Sequence, residues 1–364
     1  MATFTSMAAP AAAMNSGEPA PPPPTPSNRI GDDEASSASI SCFLQNLHLM
    51  RPSTPQLSLP SRLSRGVASS PSDLISLLNP QSDLLLSAAT NQGLFHLADH
   101  GVAASLAASA VSEAYPLLSS SPTLADLGFG EDEEGDDDLV FDVLSERLGA
   151  IPAVAELAKS MEKVGVKVVE MLAASGGLAE DPFRTGKLCA RCLIWVSGHK
   201  SAGDEGEEAE DSWEMMSGRK RYPYVVGLQY EMKGRGPWWV LDDSGEWKGV
   251  ATRANSLLVT LGDIAQVWSN GKFNKVRAGQ HQHRSSSKHI SISLFVTLTM
   301  DSFVRPLHIP LESDGSNKEG NGECFDKEGQ CRRKFQTFAF KEYAWRVYND
   351  RFLFKDPLLR YRIE

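Results

Sequence analysis

The clearest hydrophobic pattern in this chain lies in its last third. Residues 257–261 form a continuous apolar run of strand length, and a second apolar run covers residues 264–268 after a two-residue break. Residues 290–298 then alternate between apolar and polar positions, and this period of two is typical of a strand with one buried face. Asn270-Gly271, between these runs, favours a tight hairpin because both residues tolerate positive φ. The pattern predicts a β-sheet core with Trp268 buried at the end of its second strand.

Helical periodicity is found earlier in the chain. Residues 154–171 carry apolar positions at steps of three and four, which predicts one long helix packed on the core, and Gly176-Gly177 follows as its stop. Upstream, the pattern favours a short helix over 82–90, a strand over 93–97 and a helix over 102–118. The sequence therefore predicts a mostly β protein with flanking helices.

Composition and charge narrow the possible functions. The chain has 364 residues, 41% of them hydrophobic, and a net charge of −10. Residues 131–138 hold seven acids and residues 204–211 hold six, so the excess charge is concentrated in two solvated loops. This distribution of charge does not indicate a nucleic-acid-binding surface. We also expect no membrane association, because no apolar run reaches membrane-spanning length.

The five cysteines favour a reducing compartment, since they do not form a disulfide framework. Cys189 and Cys192 make a CxxC, but they run into an apolar stretch that is typical of a strand. In a strand, residues three apart point to opposite faces, so we interpret these cysteines as structural rather than as a metal or redox site.

The first 45 residues are rich in Ala, Pro and Ser and predict a disordered tail. A plastid transit peptide would need early basic residues, and the first arginine is Arg29. The expected location is the cytoplasm, with the nucleus and the plastid left open.

Two stretches carry a family resemblance. Leu261-Gly262-Asp263, Trp268-Ser269-Asn270-Gly271 and Ile290-Ser291-Ile292 resemble the C-terminal core of plant 2-oxoglutarate/Fe(II)-dependent dioxygenases, the isopenicillin N synthase-like superfamily. Residues 93–102 resemble the N-terminal signature of the same family. The resemblance implies an α+β fold with a double-stranded β-helix (jelly roll) core. It also implies an N-terminal α/β region over residues 46–180 and a dioxygenase-like domain with a C-terminal helix over residues 181–364.

The metal and co-substrate motifs of that family are altered here. The resemblance places Tyr222 and Tyr224 at the His-x-Asp pair, and Ala278 at the second metal-binding histidine. No histidine of the chain is followed two residues later by Asp or Glu, so the facial triad in its usual spacing is missing. The family's clamp for 2-oxoglutarate is Arg-x-Ser; His289 stands at its arginine, and its serine is retained as Ser291. A shifted loop would instead offer His281 or His283 as a metal ligand.

We therefore expect a catalytically degenerate dioxygenase-like protein with a binding or scaffold role. On this hypothesis no cofactor is bound, and the partner is a small molecule or a protein of unknown identity. The alternative is an active oxidoreductase of the same superfamily that holds Fe(II) and 2-oxoglutarate with substituted ligands.

Three other features of the sequence are candidate sites. His96 and His100 are interpreted as packing or turn histidines rather than metal ligands. Residues 338–361 interleave aromatic and basic side chains, which suits either a surface that stacks on nucleic acid or a docked helix. The docked helix is the preferred interpretation.

Overall fold

The computed structural model describes residues 72–120, 126–129, 138–178, 182–183, 189–199, 221–230, 238–281, 289–307, 333–349 and 356–363. For several residues within these ranges, among them His199, Ala278–His281 and His289, it describes the backbone alone. All described residues belong to one unit, Leu63–Glu364. The predicted tail, the two predicted acidic loops and His283 lie outside the described residues, apart from Asp138 at the end of the first loop.

The strands of the described residues are β1 (Leu74–Ser76), β2 (Leu94–Ala98), β3 (Asp138–Asp142), β4 (Ala190–His199), β5 (Val226–Tyr230), β6 (Trp238–Leu241), β7 (Trp247–Val250), β8 (Leu257–Leu261), β9 (Ala278–His281), β10 (His289–Leu298), β11 (Phe303–Val304) and β12 (Phe338–Ala339). The α-helices are α1 (Ser82–Asn91), α2 (Ala104–Ser120), α3 (Pro152–Leu172), α4 (Asp263–Trp268) and α5 (Phe340–Asn349). Short 3₁₀ helices cover Glu146–Ala150 and Pro357–Tyr361, and a π-helical turn, Ala173–Gly177, follows α3.

Two facing sheets form the core. Seven strands are ordered β1-β2-β8-β5-β10-β4-β3, and all neighbours pair antiparallel except β1 and β2. A smaller sheet has the order β7-β6-β9. Side chains from both sheets form a buried apolar cluster between them: Leu94, Trp238, Val240, Val250, Leu258 and Val276. This arrangement is the double-stranded β-helix that the resemblance implies, with helices on its flank.

Helix α3 covers the outer face of the large sheet. At Gly165 a Cβ atom would lie 2.6 Å from Val296 Cγ2 and 3.6 Å from Leu294 Cδ2. The backbone of α3 therefore lies in close contact with side chains of β10 at this point. Successive residues of a strand point to opposite faces. Since Leu294 and Val296 face α3, the alternate positions Ser291, Ser293 and Phe295 face the interior between the sheets.

The predicted strand over residues 264–268 is wrong. These residues form α4, and all five from Ile264 to Trp268 are buried. Asn270 and Gly271 do adopt positive φ, 54° and 79°, as predicted. They turn the chain at the end of this helix, where the Gly271 N–H donates to Gln266 O at 2.8 Å, and do not form a hairpin.

Other expectations are confirmed. The helix predicted over 154–171 is α3, and Gly176 ends its last turn with φ of 79°. The CxxC runs into β4, with Cys189 exposed and Cys192 buried. The buried face of α5 shows a docked helix at 340–349.

Among the described residues, no helix is long and apolar enough to cross a membrane.

Candidate functional site

The interior face of the large sheet is marked by three stacked aromatic side chains. Trp195 of β4 meets Phe295 of β10 edge-on, with ring centroids 6.0 Å apart. Phe295 in turn packs on Tyr224 at 4.8 Å. These aromatic contacts extend across the interior towards the small sheet, because the Tyr224 hydroxyl donates to Val276 O at 3.4 Å.

Polar groups lie on this face beside the aromatic rings. Ser293 Oγ donates a hydrogen bond to Gln229 Oε1. Thr297 Oγ1 donates to Pro223 O at 2.8 Å. Ser291 is 5% exposed, and its Cα is paired with that of Ser197. The interior is therefore lined by both hydroxyls and rings, as a small-molecule site requires.

Tyr224 is the residue that the resemblance assigns to the family's metal-binding carboxylate, and this assignment stays a prediction. Its hydroxyl lies 3.2 Å from Thr260 Oγ1 and donates to Val276 O. Burial raises the pKa of Tyr224 above the ordinary phenol value. The side chain is therefore a neutral phenol at physiological pH, with its proton engaged by neighbouring oxygens.

Tyr222 points to a different part of the molecule. Its hydroxyl donates to Leu127 O at 3.3 Å and accepts from Arg191 Nη1 at 3.3 Å. Its ring contacts Phe129 and Phe340, each at 6.0 Å between centroids. The hydroxyls of Tyr222 and Tyr224 thus have separate sets of partners.

The remaining predicted site residues are described through their backbone. Ala278 pairs with Leu241 and His281 with Trp238, both across β9 and β6. His289 pairs with His199 across β10 and β4. The assignment of these positions to metal and co-substrate binding stays a prediction.

The residues that the resemblance assigns to the family's metal position do not fit iron. A non-haem Fe(II) site needs two imidazoles and a carboxylate on one face of the ion. Tyr222 and Tyr224 supply phenol side chains with different partners. Among the side chains that the structure describes, no group of three His, Cys, Asp or Glu residues is placed to hold a metal ion.

His96 and His100 have the structural roles predicted for them. His96 is fully buried, and its Nδ1 is hydrogen-bonded to Ser72 Oγ. His100 Nδ1 accepts from the Val102 N–H at 3.1 Å, and burial lowers the pKa of its imidazole.

Arg221 is a candidate that the sequence pattern did not single out. Its Nη1 donates to Arg277 O at 3.4 Å, and its buried Nη2 finds no partner among the described residues. Burial, followed by repulsion from Arg277, lowers the pKa of Arg221 to about 10, against the opposing attraction of Asp263. This is a cation beside Tyr224 with unused hydrogen-bonding capacity.

A buried ion cluster lies at the start of α4. Lys275 has no exposed side-chain surface, and its Nζ lies 2.7 Å from Asp263 Oδ1 and 2.5 Å from Asp356 Oδ1. Tyr343 OH donates to Asp263 Oδ2 at 2.8 Å. We refer to Lys275, Asp263, Asp356 and Tyr343 as the Lys275 cluster. It joins the α4 start to the C-terminal segment.

A surface groove of about 440 Å³ lies beside α5. It is lined by Phe129, Lys341, Glu342, Trp345, Arg346, Arg360 and Tyr361. Its Trp345 is 54% exposed.

Known proteins resemble this chain in sequence and in fold. The 2-oxoglutarate-dependent dioxygenase DAO of Oryza sativa subsp. indica is 26% identical over 207 residues, which are 56% of this chain and 60% of that protein. The solved rice dioxygenase for auxin oxidation (DAO) matches 80% of this chain and 99% of its own, with a TM-score of 0.56 and 19% identity. The chain is therefore similar in sequence to a 2-oxoglutarate-dependent dioxygenase and has the fold of the solved 2-oxoglutarate/Fe(II) dioxygenases. No family model matches the chain, and it spans 60% of the length of the curated relative.

Two further solved dioxygenases correct the cofactor expectation for this chain. JOX2, solved in complex with 2OG, Fe and JA, has a TM-score of 0.57 at 15% identity over 88% of this chain and 97% of its own. AtDAO1 of Arabidopsis thaliana, solved as a 2-oxoglutarate binary complex, has a TM-score of 0.50 at 19% identity over 64% and 95%. The expectation that no cofactor is bound is wrong, because relatives with this fold hold 2-oxoglutarate and Fe. That expectation rested on the missing motif residues and inferred from them that neither iron nor 2-oxoglutarate is bound.

Proposed function

We propose that this dioxygenase-like protein is catalytically degenerate at the family's iron position and binds a small carboxylate ligand between its two sheets. 2-Oxoglutarate is the first ligand to test, because AtDAO1 was solved with it. The observation that supports the proposal is the hydrogen bonding of the Tyr224 phenol to Thr260 and Val276 O, at the residue that the resemblance assigns to an anionic metal ligand.

Arg221 is the cation on which ligand binding would depend. A carboxylate in a partly dry interior needs a charged hydrogen-bond partner, and an arginine fork supplies two parallel donors. The Nη2 atom of Arg221 has this capacity, and Tyr224 provides a hydroxyl and a ring next to it.

The test combines binding and turnover in the purified full-length protein. Titration with 2-oxoglutarate should give saturable binding, and Arg221→Met should weaken it at least tenfold. The matched control is Arg147→Met, because that arginine is 62% exposed in an ion pair with Asp126. With Fe(II), ascorbate and oxygen, 2-oxoglutarate should yield no succinate above a protein-free blank.

Succinate formation in proportion to the enzyme would overturn the proposal. If that activity is lost in His281→Gln or His283→Gln, an oxygenase with substituted ligands is the better description. Unchanged affinity in Arg221→Met would place the ligand elsewhere.

A further inference from the structure

The groove beside α5 combines aromatic rings with positive charge. Its aromatic side chains are Phe129, Trp345 and Tyr361. Its charged side chains are three cations and one acid: Lys341, Arg346, Arg360 and Glu342. Three cations against one acid give this lining a net charge of +2, in a chain whose net charge is −10. The groove therefore favours an anion that also presents an apolar ring.

Two of the rings in the groove are held in place by buried neighbours. Tyr361 meets Tyr343 edge-on, with ring centroids 5.6 Å apart, and Phe129 packs on Tyr348 at 5.5 Å. Tyr343 and Tyr348 are both buried residues of α5. Tyr343 also belongs to the Lys275 cluster, which fixes α5 to the start of α4. Because its rings pack on buried partners, the groove is pre-formed, as small-molecule sites usually are.

Two of the cations have their charge available for a ligand. Lys341 and Arg360 are both exposed, and within the part of the chain that the structure describes neither side chain forms an ion pair or a hydrogen bond. Arg346 adds a third positive charge to the same groove. Lysine and arginine are the usual protein partners of phosphate groups. A phosphomonoester carries a charge of about −1.5 to −2 at pH 7, which matches the charge of the lining.

We propose that this groove binds a small aromatic phosphomonoester, with its ring on Trp345 and its phosphate on Lys341 and Arg360. Trp345 is 54% exposed and offers an indole face on which a planar ring can stack. The volume of about 440 Å³ lies within the range of small-molecule sites. Adenosine monophosphate (AMP) has the required ring and phosphate and is the probe for the test.

The groove shares no side chain with the interior site of the proposed function. That site depends on Arg221 and Tyr224, and neither of them lines the groove. Binding of AMP and binding of 2-oxoglutarate can therefore be measured separately in the same protein.

The test is calorimetric titration of the purified full-length protein with AMP. AMP should bind saturably at one site per chain. Adenosine and inorganic phosphate should each bind at least tenfold more weakly, because adenosine lacks the charge and phosphate lacks the ring. Trp345→Ala, Lys341→Met and Arg360→Met should each weaken AMP binding at least fivefold, since each removes the stacking face or one partner of the phosphate. The affinity should also fall with added salt, because the cations are exposed.

Two substitutions outside the groove are matched controls. Lys167→Met removes an exposed lysine of α3 that is paired with Glu170, and Tyr115→Ala removes a ring of α2 that is 46% exposed. Both variants should keep the wild-type affinity for AMP. Thermal unfolding shows whether each variant is folded, and Lys341 and Arg360 give two independent tests if the Trp345 variant is not.

The outcomes separate this groove from the interior site. Absence of AMP binding to the wild type overturns the proposal, as does binding that persists unchanged in both Trp345→Ala and Arg360→Met. Loss of AMP binding in Arg221→Met would place the anion between the sheets and overturns it too. A single-stranded oligonucleotide that binds where AMP does not would assign the groove to nucleic acid instead. A protein that binds AMP in the groove but does not bind 2-oxoglutarate contradicts the proposed function alone.

Discussion

At the scale of single residues, the Lys275 ammonium is the most demanding group to bury. It has no exposed side-chain surface and depends on Asp263 and Asp356 for compensation. Taking a charge out of water costs several kcal/mol, which is recovered by good ion-pair geometry and additional hydrogen bonds.

Lys275→Met is therefore expected to destabilise the protein by about 3–5 kcal/mol, because it leaves two carboxylates buried without their cation. Urea unfolding at pH 7 measures the change in the free energy of unfolding. Lys272→Met is the matched control: this lysine is exposed, and its loss should cost less than about 1 kcal/mol. Equal costs for both variants would contradict the role given to the Lys275 cluster.

Trp268 is fully buried, as its place in the apolar run predicted, and it meets Phe183 edge-on at 5.6 Å. Trp268→Ala should cost about 3–5 kcal/mol, as truncation of a large core aromatic does. Trp345→Ala, at a residue that is 54% exposed, should cost less than about 1 kcal/mol in the same unfolding experiment. A cost below about 1 kcal/mol for Trp268→Ala would place this ring outside the core.

At the scale of elements, α4 shows where sequence patterns stop being informative. Its five residues from Ile264 to Trp268 are all buried, so no polar face reveals a helical period. A run this short reads equally well as a buried strand. The period of two in β10 was correctly interpreted because one face packs on α3 while the other lines the interior with Ser291, Ser293 and Thr297.

Gly262, before α4, is required by a close approach rather than by its φ of −104°. A Cβ at this position would meet Tyr224 O and lie 2.7 Å from Tyr224 Cδ2. Gly262→Ala should destabilise the protein by about 1–3 kcal/mol, as overpacking does, and displace the Tyr224 ring. Gly149→Ala is the control, because a Cβ there meets no atom within 4 Å. Thermal unfolding and the near-UV spectrum measure both effects, and similar behaviour of the two variants would contradict this account.

At the scale of the whole molecule, the double-stranded β-helix and its flanking helices were predicted from motifs that span residues 93–102 and 261–292. The Lys275 cluster and the unused donor of Arg221 were not predicted, because they bring together residues from distant segments. Lys275 and Asp356, for example, are 81 positions apart. The opposition of His199 and His289 likewise follows from the register between β4 and β10, which a single sequence does not specify.

Asp356, in the C-terminal segment, makes the stability of the protein depend on pH. Burial alone would raise the pKa of Asp356, but Lys275, the Leu358 N–H and Arg362 together lower it. Since this folded-state pKa lies below the value of about 3.9 in an unfolded chain, the ionised carboxylate stabilises the fold above that pH. The contribution is lost as pH falls through the folded value.

The free energy of unfolding of the wild type should therefore fall more steeply between pH 6 and pH 3 than that of Asp356→Asn. Asp301→Asn, at an exposed aspartate, should keep the wild-type slope. Urea titrations at four pH values give both slopes. Parallel curves for Asp356→Asn and the wild type would show that this carboxylate does not govern the acid response.

The order of strands in the large sheet also governs when the protein can fold during its synthesis. β2 lies next to β8, with Leu94 opposite Thr260, so the sheet joins segments that leave the ribosome far apart in time. Translation adds about 5–20 residues per second, so β2 waits on the order of ten seconds for its neighbour. Closing such a long loop costs chain entropy, and the contacts between the two strands offset this cost only after the loop has closed. In that interval, of the two sheet neighbours of β2, β1 alone has been synthesised.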